Sequence, residues 1–153
     1  MNTIRNVHYK GDKMTTRDYL MQLRTIDLEI AMSRSEEASW LDLAAKMHHE
    51  PSEIRVSTTP TPDKMESLVV KAADCAIQAD REREVLVYTK ATIERQIKAI
   101  EDKDLRYMLW GYYHDRKSLK EIANVLSYSY PHAKRQMFKA TETFEDVWGN
   151  SYL

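Results

Sequence analysis

From Val69 to Ile100 the chain carries Val69, Ala72, Ala76, Ala79, Arg83, Leu86, Lys90, Ile93, Ile97 and Ile100 at alternating steps of three and four. That spacing sets one residue per turn on a single line, the seam of a coiled-coil-like helix that has to lie against another helix. Such a helix, opened by Asp63 as a cap, is on the order of 55 Å long. The alanines let a partner approach closely, while Arg83 and Lys90 interrupt the seam. The expected partner begins at Thr16, a capping residue, and carries Tyr19, Leu20, Leu23, Ile26 and Ile30 on one face. Its apolar pattern resumes at Trp40, Leu41, Ala44 and Met47, and we read one continuous helix through the polar stretch Ser33-Arg34-Ser35-Glu36-Glu37. Pro51, Pro60 and Pro62, with the Ser and Thr residues among them, place a loop over residues 49–62, because proline ends a helix and lacks an N–H. Residues 16–100 are thus expected to form a long antiparallel helical hairpin, in which each helix buries a stripe it cannot bury alone. The same seams could pair between two chains as a homodimer, and the spacing does not separate the two arrangements.

Composition agrees with an all-α chain. Of 153 residues, 42% are hydrophobic and 31% charged, and 3 Gly with 4 Pro leave little material for hairpin turns. No P-loop, dinucleotide glycine fingerprint, paired-histidine zinc helix or nucleophile elbow is present, so we expect no enzyme and no cofactor. His48 and His49 are adjacent and point to different sides of a helix, so no metal is expected. The lone Cys75 excludes an internal disulfide and fits a reducing compartment. With no uncharged apolar run near the roughly 18 residues of a membrane span, and no signal-type start, the expectation is a cytoplasmic protein without membrane contact. Residues 1–15, with Gly11 and no sustained period, read as a flexible leader.

Residues 101–153 read as a separate module. Leu105, Met108, Leu109 and Tyr112 share a helical face widened by Trp110 and Tyr113, and Gly111 with the polar run after Tyr113 is expected to end that helix. Ser118-Leu119-Lys120-Glu121 is a capping box, followed by Leu119, Ile122, Ala123 and Leu126 at one-face spacing. Ser129 offers a second cap, with Pro131 in the first turn, and the next helix buries Ala133, Met137, Ala140 and Phe144. A short helix, a tight turn and a longer helix, with Ala123 where the two meet, is the helix-turn-helix plan, placed over residues 118–144.

Charge marks the same stretch. The whole chain has a formal charge of -1, yet Arg116 to Lys139 holds Arg116, Lys117, Lys120, Lys134, Arg135 and Lys139 against Glu121 alone. Left outside the buried line of the second helix are Tyr130, His132, Lys134, Arg135, Gln136 and Lys139. Arg and Gln carry donors for base edges and Lys neutralises phosphate, so these six are the expected DNA contacts. Arg116, Lys117 and Lys120 either reach phosphates beside the first helix or keep the turn solvated.

The run beginning Asp104-Leu-Arg-Tyr-Met-Leu-Trp, then Ser118-Leu-Lys-Glu-Ile-Ala and Ser127-Tyr-Ser-Tyr-Pro-His-Ala-Lys-Arg-Gln, resembles region four of bacterial sigma factors. With Thr16-Arg-Asp-Tyr-Leu-Met-Gln-Leu-Arg opening a long helix, the layout resembles small Gram-positive phage late transcription regulators of the RinA and ArpU kind. Ser127 stands where that turn usually has glycine, Pro131 lies inside the reading helix, and Gln136 takes a position that is usually apolar. The resemblance implies a transcription regulator that binds double-stranded DNA at late-gene promoters and contacts host RNA polymerase in the bacterial cell. Two other expectations fit the layout: a DNA-packaging adaptor of the small-terminase kind, and a helical interaction protein that binds no DNA.

Overall fold

The computed structural model describes residues 14–48 and 62–152, and every regular element among them is helical. The expected leader, except for Met14 and Thr15, and the expected loop, except for Pro62, lie outside the described residues, as does the Met47 side chain. The elements are α1 (Thr16–His48), α2 (Pro62–Lys98), α3 (Lys103–Leu109) with a π-helical turn (Trp110–His114), α4 (Leu119–Val125), α5 (Tyr130–Trp148) and a 3-10 turn (Gly149–Ser151).

Helix α1 runs unbroken for 33 residues, as expected through its polar middle. Its cap lies one residue before the expected Thr16. The Asp18 N–H donates to Thr15 Oγ1 (3.2 Å) and the Thr15 N–H to Asp18 Oδ2 (3.4 Å), a reciprocal box that leaves Thr16 free to turn inward. Helix α2 spans 37 residues and starts at Pro62, one residue before the expected Asp63 cap; an N–H at that position would have no helical acceptor, so proline loses nothing there.

The described residues form two compact units, one uniting those up to Asp27 with those from Val87 onward, the other spanning Leu28–Leu86. In the first, Tyr19, Leu20 and Leu23 of α1 pack with Ile93, Ile97 and Ile100, with Leu105, Leu109 and Tyr113, and with Ala140 and Phe144 of α5. Tyr19 opposes Gln96 (Oη to Oε1, 2.9 Å) and Asp27 opposes Lys90 (Oδ1 to Nζ, 2.6 Å), so the two long helices run antiparallel here. Buried Thr16 is satisfied at the C-terminal end, where its Oγ1 donates to Glu145 Oε2 (2.6 Å) and accepts from the Tyr152 hydroxyl (3.1 Å), while Tyr152 stacks on Tyr19 with centroids 4.0 Å apart; the buried Trp148 indole N–H has no partner among the described residues.

A second cluster, Met108, Ile122, Ala123 and Ala133, holds α3, α4 and α5 together. Gly111 does not end the helix as expected. Winding continues through His114 as a π turn, and Gly111 is buried under Ile122, so closely that a Cβ there would lie 3.3 Å from Ile122 Cγ1 and Cδ1. The helix finally ends where Arg116 turns left-handed at φ 58°, with the Lys117 N–H bonded to the Gly111 carbonyl (2.9 Å).

In the second unit, Arg83 of α2 reaches Glu37 (Nη1 to Oε2, 2.7 Å) and Ser33 of α1, and also pairs with Asp80. Ala72, Ala76, Ala79 and Leu86 are half-buried, as the seam requires. Three expected apolar positions are not buried: Trp40 is 43% exposed, Leu41 58% and Val69 58%. After Ile30 the half-buried positions are Ser33, Glu37 and Ala44, whereas Trp40 and Leu41, which steps of three or four from Glu37 also reach, stay at the surface, so the covered stripe of this two-helix layer is narrower than the apolar pattern.

The α4 to α5 turn depends on Ser127, whose φ is 57°. The Tyr128 N–H bonds to the Ala123 carbonyl (2.8 Å) and the Ser127 N–H to that of Asn124 (3.2 Å), the paired bonds of a left-handed helix end that glycine normally supplies. A left-handed serine carries a steric penalty of roughly 1–2 kcal/mol that glycine escapes, partly offset by the unfolded-chain entropy of glycine. We therefore expect Ser127→Gly to match or exceed the wild type by up to about 1 kcal/mol, and Ser127→Val to lose roughly 1–2 kcal/mol, both read by urea denaturation; equal stabilities for Gly and Val would contradict the left-handed turn. The hydrogen bond from Lys90 holds the Asp27 carboxyl below the usual carboxylate range, aided by the charge of Arg116, whose Nη2 is 3.4 Å away. A carboxylate pKa that is lowered on folding contributes stability at neutral pH and loses it as pH falls from about 4 through the folded value. With the side chain 50% exposed, Asp27→Asn should cost only about 0.2–1 kcal/mol at neutral pH and converge on the wild type in acid.

Candidate nucleic-acid interface

The helix-turn-helix expected over 118–144 is present as α4 and α5, and its local determinants are those of the sequence. Ser118 and Glu121 close the capping box, the serine N–H donating to Glu121 Oε2 (2.7 Å) and the Glu121 N–H to Ser118 Oγ (3.3 Å). The Ser118 N–H, and after it the Ser118 hydroxyl donating to the same Oε2 (2.7 Å), hold the Glu121 carboxyl below its usual range. Ser129 caps α5 by accepting from the His132 N–H (3.4 Å), and Pro131 sits in the first turn without conflict. Ala123 and Ala133 are both buried where the two helices meet. The Tyr128 hydroxyl donates to Asp104 Oδ2 (2.6 Å), fastening the turn to the start of α3.

Helix α5 is rotated so that Ala133, Ala140 and Phe144 are buried and Met137 is half-buried. Its exposed face therefore begins with Tyr130, Pro131, Lys134, Arg135, Phe138 and Lys139. Four of the six residues expected on α5 lie on that face: Tyr130, Lys134, Arg135 and Lys139. His132 and Gln136 are half-buried at its margin, and the His132 ring meets Tyr128 edge-on with centroids 4.5 Å apart. Lys134 Nζ sits 4.9 Å from the centroid of the Tyr130 ring.

The three basic residues before α5 divide by what they touch. Lys120 is exposed on α4. Arg116 reaches Asp27 and occupies the left-handed position that ends the preceding helix. Lys117 pairs with Asp115 (Nζ to Oδ2, 3.4 Å) and lies 5.5 Å from the Tyr107 ring centroid. Among the described residues no ion pair engages Lys120, Lys134, Arg135 or Lys139. All four are exposed.

Charge is also polarised along α5. Lys134, Arg135 and Lys139 fall in its first ten residues, while Glu142, Glu145 and Asp146 fall in the rest. The helix dipole adds positive potential at the same N-terminal end. Those ten residues span on the order of 15 Å, enough to cross a B-DNA major groove about 12 Å wide, and the acidic half would be repelled by phosphate. The arrangement can bind a polyanion by its N-terminal half and present both forked and apolar side chains to base edges.

Two features escaped sequence reasoning. Phe138 is an aromatic on the exposed face that belongs neither to the buried line nor to the charged set, so no spacing signal marks it. Lys98, Lys103 and Arg106 gather with Tyr107 and Trp110 around a shallow cavity of about 330 Å³. Residues 103, 106, 107 and 110 share a helical face, a spacing that could have revealed it. Trp110 is already engaged there, stacked on His114 at 4.0 Å and bearing the Lys98 ammonium 4.9 Å from its centroid. No protein-family model matches the chain, and no curated protein or solved structure does, so the reading of this face rests on its geometry and chemistry.

Proposed function

We propose that this protein is a sequence-specific DNA-binding transcription regulator whose α5 enters the major groove by its N-terminal half. One observation carries the reading: the outer face of the second helix of a helix-turn-helix holds three cations, Lys134, Arg135 and Lys139, that make no ion pair among the described residues, and the acids are confined to the other half of that helix. Arg135 is the candidate for bidentate recognition of guanine, since its planar fork matches the O6 and N7 acceptors, while Lys134, Lys139 and Lys120 neutralise phosphates. Pro131 and the left-handed Ser127 are compatible with this use of the motif, because both are accommodated in the turn and first turn of α5. Resemblance to phage late regulators of the RinA and ArpU kind makes late-gene promoters the target and host RNA polymerase the second partner in this proposal.

A partner-binding role for the long helices is favoured by one further observation. Leu28, Met32, Leu41, Leu43, Val70 and Ile77 are all exposed within the second unit. Leu28 and Met32 are neighbours one turn apart on α1, and exposed apolar residues mark an interaction surface where they form a contiguous patch. A regulator would use them for dimerisation or polymerase contact; a packaging adaptor would use them to assemble a ring. Mass measurement in solution separates these, a monomer or dimer agreeing with the regulator and a ring-sized assembly with the adaptor.

The deciding experiment is selection of duplex DNA from a genomic fragment pool by the purified chain at about 0.1 M salt, where phosphate contacts still register. The expected result is enrichment of one sequence class, with the double variant Lys134→Ala, Arg135→Ala weakening binding at least tenfold, since a bidentate base contact is worth about 1–3 kcal/mol and a phosphate contact is lost besides. Enrichment of no sequence over background would sink the regulator reading; equal enrichment by both proteins would remove these two residues from the interface.

A further inference from the structure

Tyr130, Lys134 and Phe138 follow one another at steps of four along α5, so they form one row on its exposed face. The lysine ammonium rests on the Tyr130 ring, whereas Phe138 is 66% exposed and no aromatic or cation contact engages its ring among the described residues. Around it on the helix stand Lys134, Arg135, Lys139 and Glu142. That setting is wrong for the centre of a protein interface, where charged residues are depleted and apolar ones cluster. It is right for a groove whose walls are phosphates and whose floor carries a single kind of apolar group.

We infer that Phe138 is a specificity-determining residue that reads the 5-methyl group of thymine in the major groove; the inference rests on the DNA-binding reading above. A phenyl ring offers neither donor nor acceptor, so among the four base pairs its complement in the major groove is the thymine methyl. Phe138 lies three residues beyond Arg135, on the order of 4.5 Å along the helix axis. A base-pair step is about 3.4 Å, so the thymine falls within about two base pairs of the guanine held by Arg135. The acids begin one turn later, at Glu142, which makes Phe138 the last apolar side chain of α5 to reach the groove before repulsion from phosphate sets in. A regulator built this way reads a guanine and a neighbouring thymine with two adjacent residues of one helix face.

The test uses the full chain and a randomised duplex pool of about 20 base pairs, two helical turns. Each thymine of the selected site is then replaced singly by deoxyuracil, which removes the methyl and nothing else, and affinity is read by fluorescence anisotropy. The expected result is one thymine, within two base pairs of the guanine whose replacement the Arg135→Ala protein no longer senses, at which deoxyuracil weakens the wild type about fourfold, the worth of one buried methyl. Phe138→Ala should bind the thymine and deoxyuracil duplexes alike, and Phe138→Leu should keep part of the difference. Far-ultraviolet circular dichroism and binding to unselected duplex check that each variant is folded. If a sequence is selected but no deoxyuracil position separates wild type from Phe138→Ala, the role of Phe138 is overturned while DNA binding stands. If no sequence is selected, the DNA-binding reading fails and takes this inference with it.

Discussion

Helix α5 belongs to both hydrophobic clusters of its unit. Ala133 closes the cluster with Met108, Ile122 and Ala123, Ala140 and Phe144 close the one with Tyr19, Leu20, Ile93 and Ile97, and Met137 lies against both. A helix anchored at two points along its length cannot rotate about its axis without emptying one of them, and closely packed interiors tolerate such voids poorly. The inner line therefore determines the outer face. Tyr130, Lys134, Arg135 and Phe138 project from the fold because Ala133, Ala140 and Phe144 are locked within it.

The same unit shows how basic residues are divided between structure and surface. Arg116 and Lys117 sit at the end of the π turn, one in a left-handed conformation and near Asp27, the other near Asp115 and the Tyr107 ring. Such part-exposed pairs contribute little stability individually. They nevertheless set a direction, since the turn they occupy delivers Ser118 to its capping position at the start of α4. Lys120, Lys134, Arg135 and Lys139 make no ion pair among the described residues and are exposed. A net positive count over residues 116–139 thus overstates the free charge, and the location of the remaining cations is more informative than their number.

The second unit has a different economy of contacts. Arg83 of one helix segment meets Ser33 and Glu37 of the other, and the half-buried positions beside it, Ala72, Ala76, Ala79, Ile30 and Leu86, include only two large apolar side chains. Arg83 is only 12% exposed and satisfied by Glu37, Asp80 and Ser33, so the charge at the seam is paired and hydrogen-bonded. Larger apolar residues point outward in its place. A layer of two helices offers each helix one covered face, and any stripe wider than that remains at the surface.

Much of this architecture is local in origin and could be read from residues alone. The three-and-four seam from Val69 to Ile100, the continuity of α1, the capping box at Ser118, the Ser129 cap and the proline behind it follow from spacing and backbone chemistry within a few residues, and the structure has them except for Val69, which is exposed. The basic stretch from Arg116 to Lys139 is equally a property of the chain. What depended on tertiary packing was how positions without a strong local preference were used. Gly111, by local propensity a helix breaker, became a point of close approach because Ile122 arrives from another helix. Trp40 and Leu41, apolar by type, stayed exposed although the three-and-four spacing reaches them, because the stripe that a two-helix layer covers is narrower than the apolar one. Phe138 came to the outer face, and Arg116 and Lys117 into structural contacts, because the rotation of α5 and the path of the chain around α3 are decided by contacts between residues far apart in sequence. Periodicity records the interval between buried positions, and only packing chooses which side of the helix is buried.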